Sequence, residues 1–386
     1  MSESSHLQQV PEAIPTWQIP LHRGLAWFGT VAPGLALAGL LAWMGAILAE
    51  LIGQTLLGFE KTPISAIMMT ILLGLIVRNV AGLPVAYEAG LRFAVKRILR
   101  FGVALLGLGL SLVAVAQIGA SALPIILGCI ISALLLVTWL SRLVGLPPRL
   151  GSLIAIGTSI CGASAIVAAG PAIDAEEDEV SYAVACITLF GMAALLGYPY
   201  LAHWLFAGNA EQAGLFLGTA IHETSQVAGA GLMYQQHYDA PTALNVAATT
   251  KLVRNVCMGA VIPMIAVFYH RRSASAKTGQ TGRLAWYQYV PLFVVAFVVL
   301  TAVRTLGDFG TKAFGVVPRP AWQSFLAEAK SISVACLTIA MAAVGLGTSV
   351  AQLRKLGCKP LLVGLAAAVL VGGVSLALIR VFAAAL

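Results

Sequence analysis

The chain has 386 residues, of which 59% are hydrophobic and 10% are charged. A soluble globular protein carries about 25% charged residues, so this composition excludes a protein whose whole surface faces water. The formal net charge is +8. Because no basic soluble region with interleaved aromatic residues accompanies this charge, nucleic acid is not an expected partner.

Apolar runs of about 20 residues, the length that a helix needs to cross the hydrocarbon, recur along the chain. Strands of a membrane barrel would be about ten residues long and would alternate polar with apolar side chains, which these runs do not. The fold class is therefore an all-α membrane protein with about eleven transmembrane helices. Hydropathy places them near residues 27–55, 63–82, 98–117, 122–145, 150–172, 180–206, 213–235, 242–270, 286–305, 332–352 and 360–385.

The distribution of Lys and Arg between the short loops predicts the orientation of the chain. Residues 1–26 are expected to form a cytoplasmic N-terminal tail, and residues 27–386 a single polytopic transporter domain. With the N-terminus inside, the outer loops receive Asp239 and the acidic run from Asp174 to Glu179. The inner loops then receive most of the cations, namely Arg23, Arg92, Lys96, Arg97, Arg100, Arg142, Arg149, Arg271, Arg272, Lys277, Arg283, Arg354, Lys355 and Lys359.

Two pairs of similar segments indicate internal duplication. The segment GLGLSLVAVAQIG (107–119) matches GLGTSVAQLRKLG (345–357) without gaps, and GTSICGASAIVAAG (157–170) matches GTAIHETSQVAGAG (218–231). An odd number of predicted crossings separates the first two segments, so they point in opposite directions, as in the inverted repeats of secondary transporters. The sequence leaves open whether the glycine-rich second pair crosses the membrane or re-enters it.

The segment 218–231 places His222 and Glu223 in the middle of a predicted span. A charged side chain at that depth costs about 2.5–3.5 kcal/mol, so we expect a functional reason for its presence. The surrounding glycines favour helices that are broken near the bilayer centre. Broken helices expose N–H groups and positive dipole ends, which favour an anionic ligand. His222 and Glu223 are therefore the candidate coupling groups.

The next predicted span carries a basic pair, Lys251 and Arg254, on one helical face. We expect these buried cations to bind Glu223, His222 or the transported substrate. A structural ion pair with Glu223, a core role for His222, and hydroxyls that only join helices are the simpler interpretations. The candidate substrate-binding residues are Thr158, Ser159, Ser164, Thr219, Ser225, Gln226, Lys251, Arg254 and Asn255.

Enzymatic chemistry is not expected from this sequence. The stretch HETSQ begins like the zinc motif H-E-x-x-H, but Gln226 replaces the second histidine. A serine nucleophile would lack the G-x-S-x-G elbow, and the cysteines form no C-x-x-C pair. Neither a metal nor a cofactor is expected.

The segments GTSICGASAI, AIHETSQVAGAG and TKLVRNV resemble the signatures of the YeiH-like sulfate exporter family of bacterial inner membranes. The resemblance covers nearly the whole chain, and it implies a multi-span secondary transporter similar in broad plan to cation/proton antiporters and anion transporters. We expect a carrier that exports a small anion such as sulfate or a sulfonate, coupled to protons or sodium, with homodimer formation left open. The alternative is a cation/proton antiporter in which Glu223 titrates and the basic pair is structural.

Overall fold

The computed structural model describes residues 18–52, 65–272, 292–349, 351 and 358–382. Within these ranges the chain folds into helices, and the only strand-like pairing is a bridge between Ala313 and Val317. The prediction of an all-α fold is therefore confirmed. Five of the described helices are long and apolar enough to cross a membrane, namely Gly29–Glu50, Leu112–Leu143, Glu177–Leu205, Arg319–Gly347 and Cys358–Phe382.

The first part of the chain forms helices α1 to α6. Short π-helical turns join α3 to α4 and α5 to α6, so each pair is one continuous helix. The backbone is extended at Leu110, and Ser111 caps α5 by accepting a hydrogen bond from Ala114 N. The predicted break between 98–117 and 122–145 thus lies too late, because Pro124 sits inside α5 without ending it. The bounds are α1 Gln18–Glu50, α2 Ala66–Ile76, α3 Val85–Phe93, α4 Leu99–Leu105, α5 Leu112–Ser132 and α6 Thr138–Leu143.

The described residues beyond α6 form ten more helices, which we number α7 to α16. Helical residues lie in every one of the ranges that hydropathy selects. The bounds are α7 Pro148–Ser159, α8 Ala163–Ala169, α9 Glu177–Leu205, α10 Ala210–Ala220, α11 Thr224–Tyr238, α12 Pro241–Val256, α13 Met258–Arg272, α14 Leu292–Gly307, α15 Arg319–Gly347 and α16 Cys358–Phe382.

Helices α10 and α11 form a hairpin. A Cβ built on Gly214 of α10 would lie 2.8 Å from Val246 Cβ, and one on Gly231 of α11 would lie 3.0 Å from Leu244 Cδ1, so both arms pack against the same turn of α12. The chain therefore reverses at residues 221–223. An arm of eleven residues, the length of α10, is about 16 Å long, roughly half of the hydrocarbon thickness. Residues 213–235, which hydropathy selects as one span, therefore form two antiparallel arms, which fits the re-entrant alternative that the sequence leaves open.

Helices α7 and α8 form a second hairpin, and it enters from the opposite end of the bundle. A Cβ on Gly157 of α7 would lie 2.6 Å from Ile166 Cδ1 of α8, which requires the chain to reverse between them. Gly145, just before α7, lies close to Lys359 near the start of α16. Thr219 of the α10–α11 hairpin instead lies 2.6 Å from Ser375, beyond the middle of α16. We call the end of the bundle at which α7 and α16 begin the basic end, and the opposite end the distal end.

This arrangement changes where the acidic run from Asp174 to Glu179 lies. Gly170, at the end of α8, packs on Val180 in the first turn of α9, so both hairpin ends and the acidic run lie at the basic end. The prediction that the run faces the side opposite Arg142 and Arg149 is therefore wrong. Glu176 and Glu179 form a capping box at the start of α9, and carboxylates stabilise a helix N-terminus through the helix dipole. The acidic run thus marks the start of α9 and does not indicate on which side of the membrane the loop lies.

The first pair of repeated segments also shares its local structure, as far as the described residues reach. One helix ends at Gly109 and another at Gly347, and the next residue is extended in both copies, at Leu110 and Thr348. Residue 350 and residues 352–357, which complete the second copy, lie outside the described ranges. The inverted orientation of the two copies stays a prediction.

Glycines bring several helix pairs into close contact, as small residues do in membrane bundles. Gly74 of α2 leaves no room for a side chain against α15, because its Cβ would lie 2.8 Å from Ala342 O. A Cβ on Gly214 would lie 2.7 Å from Ala243 O of α12. The first contact holds α2 to α15. The second holds the α10 arm of a hairpin tightly against the backbone of α12.

Candidate functional site

The two hairpins break at equivalent positions of the repeat, with tips at residues 160–162 and 221–223. The gap-free match found in the sequence therefore extends to the backbone, and Gly162 occupies the position equivalent to Glu223. The tips touch, because a Cβ on Gly162 would overlap Glu223 Cγ and lie 3.3 Å from Glu223 Cα. The φ of Gly162 is +76°, which side chains disfavour. Glycine is thus required at this position for two independent reasons.

The Glu223 carboxylate lies at the point where α8 and α11 begin. It caps α11 in a box with Gln226, and it accepts a hydrogen bond from the backbone N–H of Ala163 at the start of α8. Thr188 Oγ1 donates to it over 3.4 Å, and Ser225 Oγ lies 3.5 Å away. The carboxylate therefore faces N–H and O–H donors from three helices, which offset part of the cost of burying its charge.

Lys251 Nζ is held by three backbone carbonyls at the hairpin tips. It donates to Ile160 O over 2.8 Å, to Ile221 O over 2.9 Å and to His222 O. The residue is fully buried. Each of the three N–H groups of an ammonium has one acceptor here, so both tips are tied to α12 through one atom.

Arg254, one helical turn further along α12, binds the ends of α7 and α10. Its Nε donates to Ser159 O over 2.7 Å, its Nη1 donates to Thr219 O over 2.7 Å, and its Nη2 donates to Thr158 O. The last carbonyls of a helix have no intrahelical donor and carry partial negative charge. The guanidinium therefore neutralises two helix C-termini that meet inside the protein.

The expected ion pair between Glu223 and a buried cation is not formed. The ion pairs within the described ranges join other groups, Arg92 with Glu88 and two arginines with Asp308. Lys251 and Arg254 use backbone carbonyls instead, and Glu223 uses N–H and O–H groups. Charge at the tips is thus balanced by helix ends of both polarities rather than by paired side chains.

A cavity of about 410 Å³ lies beside the two tips and opens toward the basic end. Its base is formed by the first residues of α8 and α11 and by the end of α12, and its wall by α4 and α14. Lys96 and Arg100, which are exposed, stand at its mouth, and the Arg100 guanidinium lies 5.7 Å from the centre of the Phe293 ring. The lining residues are Val95, Lys96, Leu99, Arg100, Val103, Cys161, Ala163, Ser164, Glu223, Thr224, Ser225, Asn255, Met258 and Phe293.

The structure divides the predicted site residues into two sets. Ser164, Ser225, Asn255 and the coupling candidate Glu223 line the cavity. The other predicted residues lie beside it in the core: Thr158, Ser159, Thr219, Gln226, Lys251, Arg254 and the second coupling candidate His222.

Three hydroxyl and amide groups of this second set are used within the fold, whereas Thr158 Oγ1 has no hydrogen-bond partner among the described residues. Ser159 Oγ donates to Ile156 O in its own helix, and Thr219 Oγ1 donates to Leu215 O. Gln226 Nε2 donates to Thr188 O of α9. The simpler interpretation, that these groups join or brace helices, therefore fits Ser159, Thr219 and Gln226.

His222 and Asn255 have atoms without a hydrogen-bond partner among the described residues. Both ring nitrogens of His222 are buried without one, although the His222 carbonyl binds Lys251. Asn255 donates through Nδ2 to Thr224 Oγ1 over 3.1 Å, while its Oδ1 has no partner. Of these two residues, Asn255 lines the cavity and His222 does not.

Sequence reasoning missed the basic residues at the mouth of the cavity. Lys96 and Arg100 are four residues apart, which places them on one helical face. They had been assigned only to the loop charges that predict orientation. Thr224 and Phe293 were also missed, and neither carries a sequence signal beyond its neighbours.

A second cavity of about 360 Å³ lies toward the distal end, between the end of α4, the start of α12 and α15. Its lining includes Arg304 and Lys330. Arg304 Nε donates to Asp308 Oδ2 over 2.6 Å, and Trp322 Nε1 donates to Asp308 Oδ1 over 3.0 Å. Burial raises the pKa of Asp308, but these hydrogen bonds and the charges of Arg304 and Arg319 outweigh burial and hold that pKa below its ordinary value.

Comparison with known proteins identifies the relatives of this chain. The family described as Conserved hypothetical protein 698 matches residues 33–364. A UPF0324 membrane protein of Agrobacterium fabrum is 32% identical over 377 residues, covering 95% of this chain and 97% of the relative. The UPF0324 inner membrane protein YeiH of Salmonella typhi is 31% identical over 365 residues, covering 91% and 94%. No solved structure matches this chain at a significant level.

Proposed function

Because the chain belongs to the UPF0324 family of membrane proteins, we propose that it is a secondary-active transporter of a small oxyanion such as sulfate or an organic sulfonate. The charge around the cavity carries this proposal. Lys251 and Arg254 bring two buried positive charges to the hairpin tips, and Glu223 is the one carboxylate among the described lining residues. The formal charge of these side chains therefore stays positive when Glu223 is ionised, and although the helix-end carbonyls offset part of it, the excess favours an anion.

The cavity also supplies ligands for an oxyanion. Ser164, Thr224 and Ser225 place hydroxyl groups at its base, and Arg100 and Lys96 place cations at its mouth. A guanidinium binds the oxygens of a sulfate or sulfonate in a bidentate manner. The apolar wall, which includes Phe293, suits the short carbon chain of an organic sulfonate.

The hairpins support a transport function. Secondary carriers build their substrate sites from interrupted helices at mid-depth, and they alternate access from the two sides. Here two hairpins enter from opposite ends, and one cavity lies on each side of the point where they meet. With the basic end on the cytoplasmic side, the loop cations obey the positive-inside rule. The N-terminus is then cytoplasmic, and each hairpin replaces one of the predicted crossings.

Glu223 is the group that we assign to coupling. Protonation of Glu223 removes the one negative charge at the cavity and leaves the two cations, so the protonated state binds an anion more tightly than the ionised state. An anion that leaves together with this proton moves one negative charge fewer, so an interior-negative membrane potential favours export of a divalent oxyanion by about 2.3 kcal/mol at 100 mV, for the one net charge that remains. His222 lies outside the cavity and is not needed for this step.

A cation/proton antiporter is the second candidate. The observation that favours it is the position of Glu223, a carboxylate at the base of a cavity that opens to one end. A carboxylate that alternately binds a proton and a metal cation would use the same location. The two functions differ in which ion carries the measured current.

Electrophysiology on solid-supported membranes separates the two candidates. Reconstituted protein is exposed to concentration jumps of sulfate, small sulfonates, chloride, sodium and potassium, with protein-free membranes as the control. We expect currents with the sign of anion movement for an oxyanion or sulfonate, and none for sodium or potassium. Currents that depend on the cation and ignore the anion contradict the proposal and favour the antiporter.

A further inference from the structure

Lys251 occupies an unusual chemical position, because three main-chain carbonyls of the two tips surround a single atom, Nζ. Ile160 O belongs to one hairpin tip, and Ile221 O and His222 O belong to the other. Carbonyl oxygens at unwound helix segments are the ligands that sodium-coupled carriers use for sodium. The ammonium nitrogen of Lys251 therefore stands where the chemistry of the surrounding atoms suits a small monovalent cation.

The number of donors shows which form of the side chain this geometry needs. A neutral amine has two N–H groups, whereas an ammonium has three. Since three carbonyls surround Nζ, the charged form satisfies all of them. Losing the charge would leave a buried carbonyl without a donor, which is costly. The side chain is thus a cation that the chain itself supplies, tethered through α12.

We propose that Lys251 Nζ fills a monovalent-cation site built by the two hairpin tips, so that this carrier does not use sodium as its coupling ion. The site is latent: removing the lysine side chain leaves the carbonyl cage open to a small cation. The statement about coupling rests on the proposed transport function, while the statement about the cage does not. Together they leave the proton, on Glu223, as the coupling ion.

Arg254 does not share this property, although it binds the same two tips. Its guanidinium is planar and spreads its donors over the carbonyls of Thr158, Ser159 and Thr219, with a longer contact of 3.4 Å to Ile221 O. Its donors lie on three separate nitrogen atoms, so one spherical ion cannot restore its contacts. The two cations of α12 therefore differ in whether a free ion rescues their removal, and Arg254→Ala is the matched variant.

The first experiment measures cation binding without transport. Thermal midpoints of detergent-purified protein are recorded for the native chain, Lys251→Ala, Arg254→Ala and Lys330→Ala, whose lysine is exposed in the distal cavity. Each is titrated with n-propylammonium, which replaces the atoms removed in Lys251→Ala, with sodium, and with uncharged 1-propanol. We expect a saturable upward shift of several degrees for Lys251→Ala with n-propylammonium, a smaller one with sodium, and no specific shift in the other proteins. Equal shifts in all four proteins overturn the latent site.

The second experiment uses the native protein alone, so it holds even if Lys251→Ala does not fold. Oxyanion flux into proteoliposomes is compared in sodium and in N-methyl-D-glucamine media at fixed pH. We expect equal rates of flux in the two media. A rate at least tenfold lower in N-methyl-D-glucamine than in sodium would show sodium coupling and overturn the inference. Absence of oxyanion flux in both media instead contradicts the proposed function, and the thermal titration still decides whether the cage binds cations.

Discussion

Gly162 and Glu223 stand at equivalent positions of two hairpin tips that break at matching residues, yet one has no side chain and the other fills the space between them. The α7–α8 tip contributes carbonyls, and Gly162, with its positive φ, leaves the space that the Glu223 side chain occupies. The α10–α11 tip contributes carbonyls and the carboxylate that lines the cavity. A repeated backbone can therefore keep its shape while its chemistry is confined to one copy, and sequence similarity between the copies does not imply that both bind the same group.

Removing Arg254, one of the two cations that bind both tips, should have the largest effect. Arg254→Ala leaves the carbonyls of Thr158, Ser159 and Thr219 without their donor. At about 1–3 kcal/mol for each buried unsatisfied group, the free energy of unfolding should fall by at least about 3 kcal/mol. Thermal unfolding in detergent measures the change. Arg254→Lys should recover part of the stability but impair transport, because one ammonium cannot reach both helix ends. An Arg254→Ala protein as stable as the native chain would show that the tips do not need this cation.

Adding a methyl group at the glycine tip should have the next largest effect. Gly162→Ala places a side chain at a φ of +76° and against Glu223 Cγ, and the backbone strain alone costs about 1–3 kcal/mol. Gly197→Ala is the matched control, since nothing lies within 4 Å of its Cβ position in α9. Thermal midpoints should fall for Gly162→Ala and stay or rise slightly for Gly197→Ala. Combining Gly162→Ala with Glu223→Ala should restore part of the loss, and a purely additive result would contradict the contact between the tips.

Neutralising the acidic tip should change coupling more than stability. Glu223→Gln keeps the shape of the side chain and removes its titration, so oxyanion flux should persist. The ratio of flux at low pH to flux at high pH should fall by about tenfold, which corresponds to about 1.4 kcal/mol. His222→Gln is the control from the same tip. Flux should be measured in proteoliposomes across a range of pH with both variants. Loss of pH dependence in His222→Gln alone would transfer the coupling role to the histidine.

The smallest effect is expected at the mouth of the cavity, which belongs to neither tip. Arg100→Ala removes an exposed cation, so the KM for the oxyanion should rise by about three- to tenfold at low salt and less at high salt. The thermal midpoint should not change, because Arg100 is solvent-exposed. Arg97→Ala, a neighbouring exposed arginine outside the lining, is the control. Identical KM values for the two variants would remove Arg100 from the substrate path.

The sequence predicted the helical class, and each range selected by hydropathy contains helix, because hydropathy reports burial in hydrocarbon directly. It missed α3 and the first part of α15, which lie outside those ranges. It did not predict the hairpins, since an apolar count carries no direction and α10 with α11 has about the length of one crossing. Glycines at 157, 162, 218 and 231 signalled the breaks but not the reversal of the chain. The repeat did predict that the two breaks are equivalent, and the structure places them in contact.

The site was predicted only in part, for a physical reason. Spacing placed Lys251 and Arg254 on one face of a helix. Their partners are main-chain carbonyls, however, and because every residue has one, the sequence cannot indicate which carbonyls will be bound. Glu223 and Asn255 were found because a carboxylate and an amide are rare in an apolar segment. Lys96 and Arg100 were counted as loop charges, since their position above a cavity depends on how α4 and α14 pack.

The bonds from α12 also limit how the protein can change shape. Lys251 and Arg254 each donate hydrogen bonds to carbonyls of both tips, so pulling either tip away from α12 would break at least three of these bonds in the same movement. The hairpins and α12 must therefore travel as one rigid block. Under the proposed transport function, we expect alternating access to come from sliding or tilting of this block against α4, α14 and α15, while the two tips stay in contact.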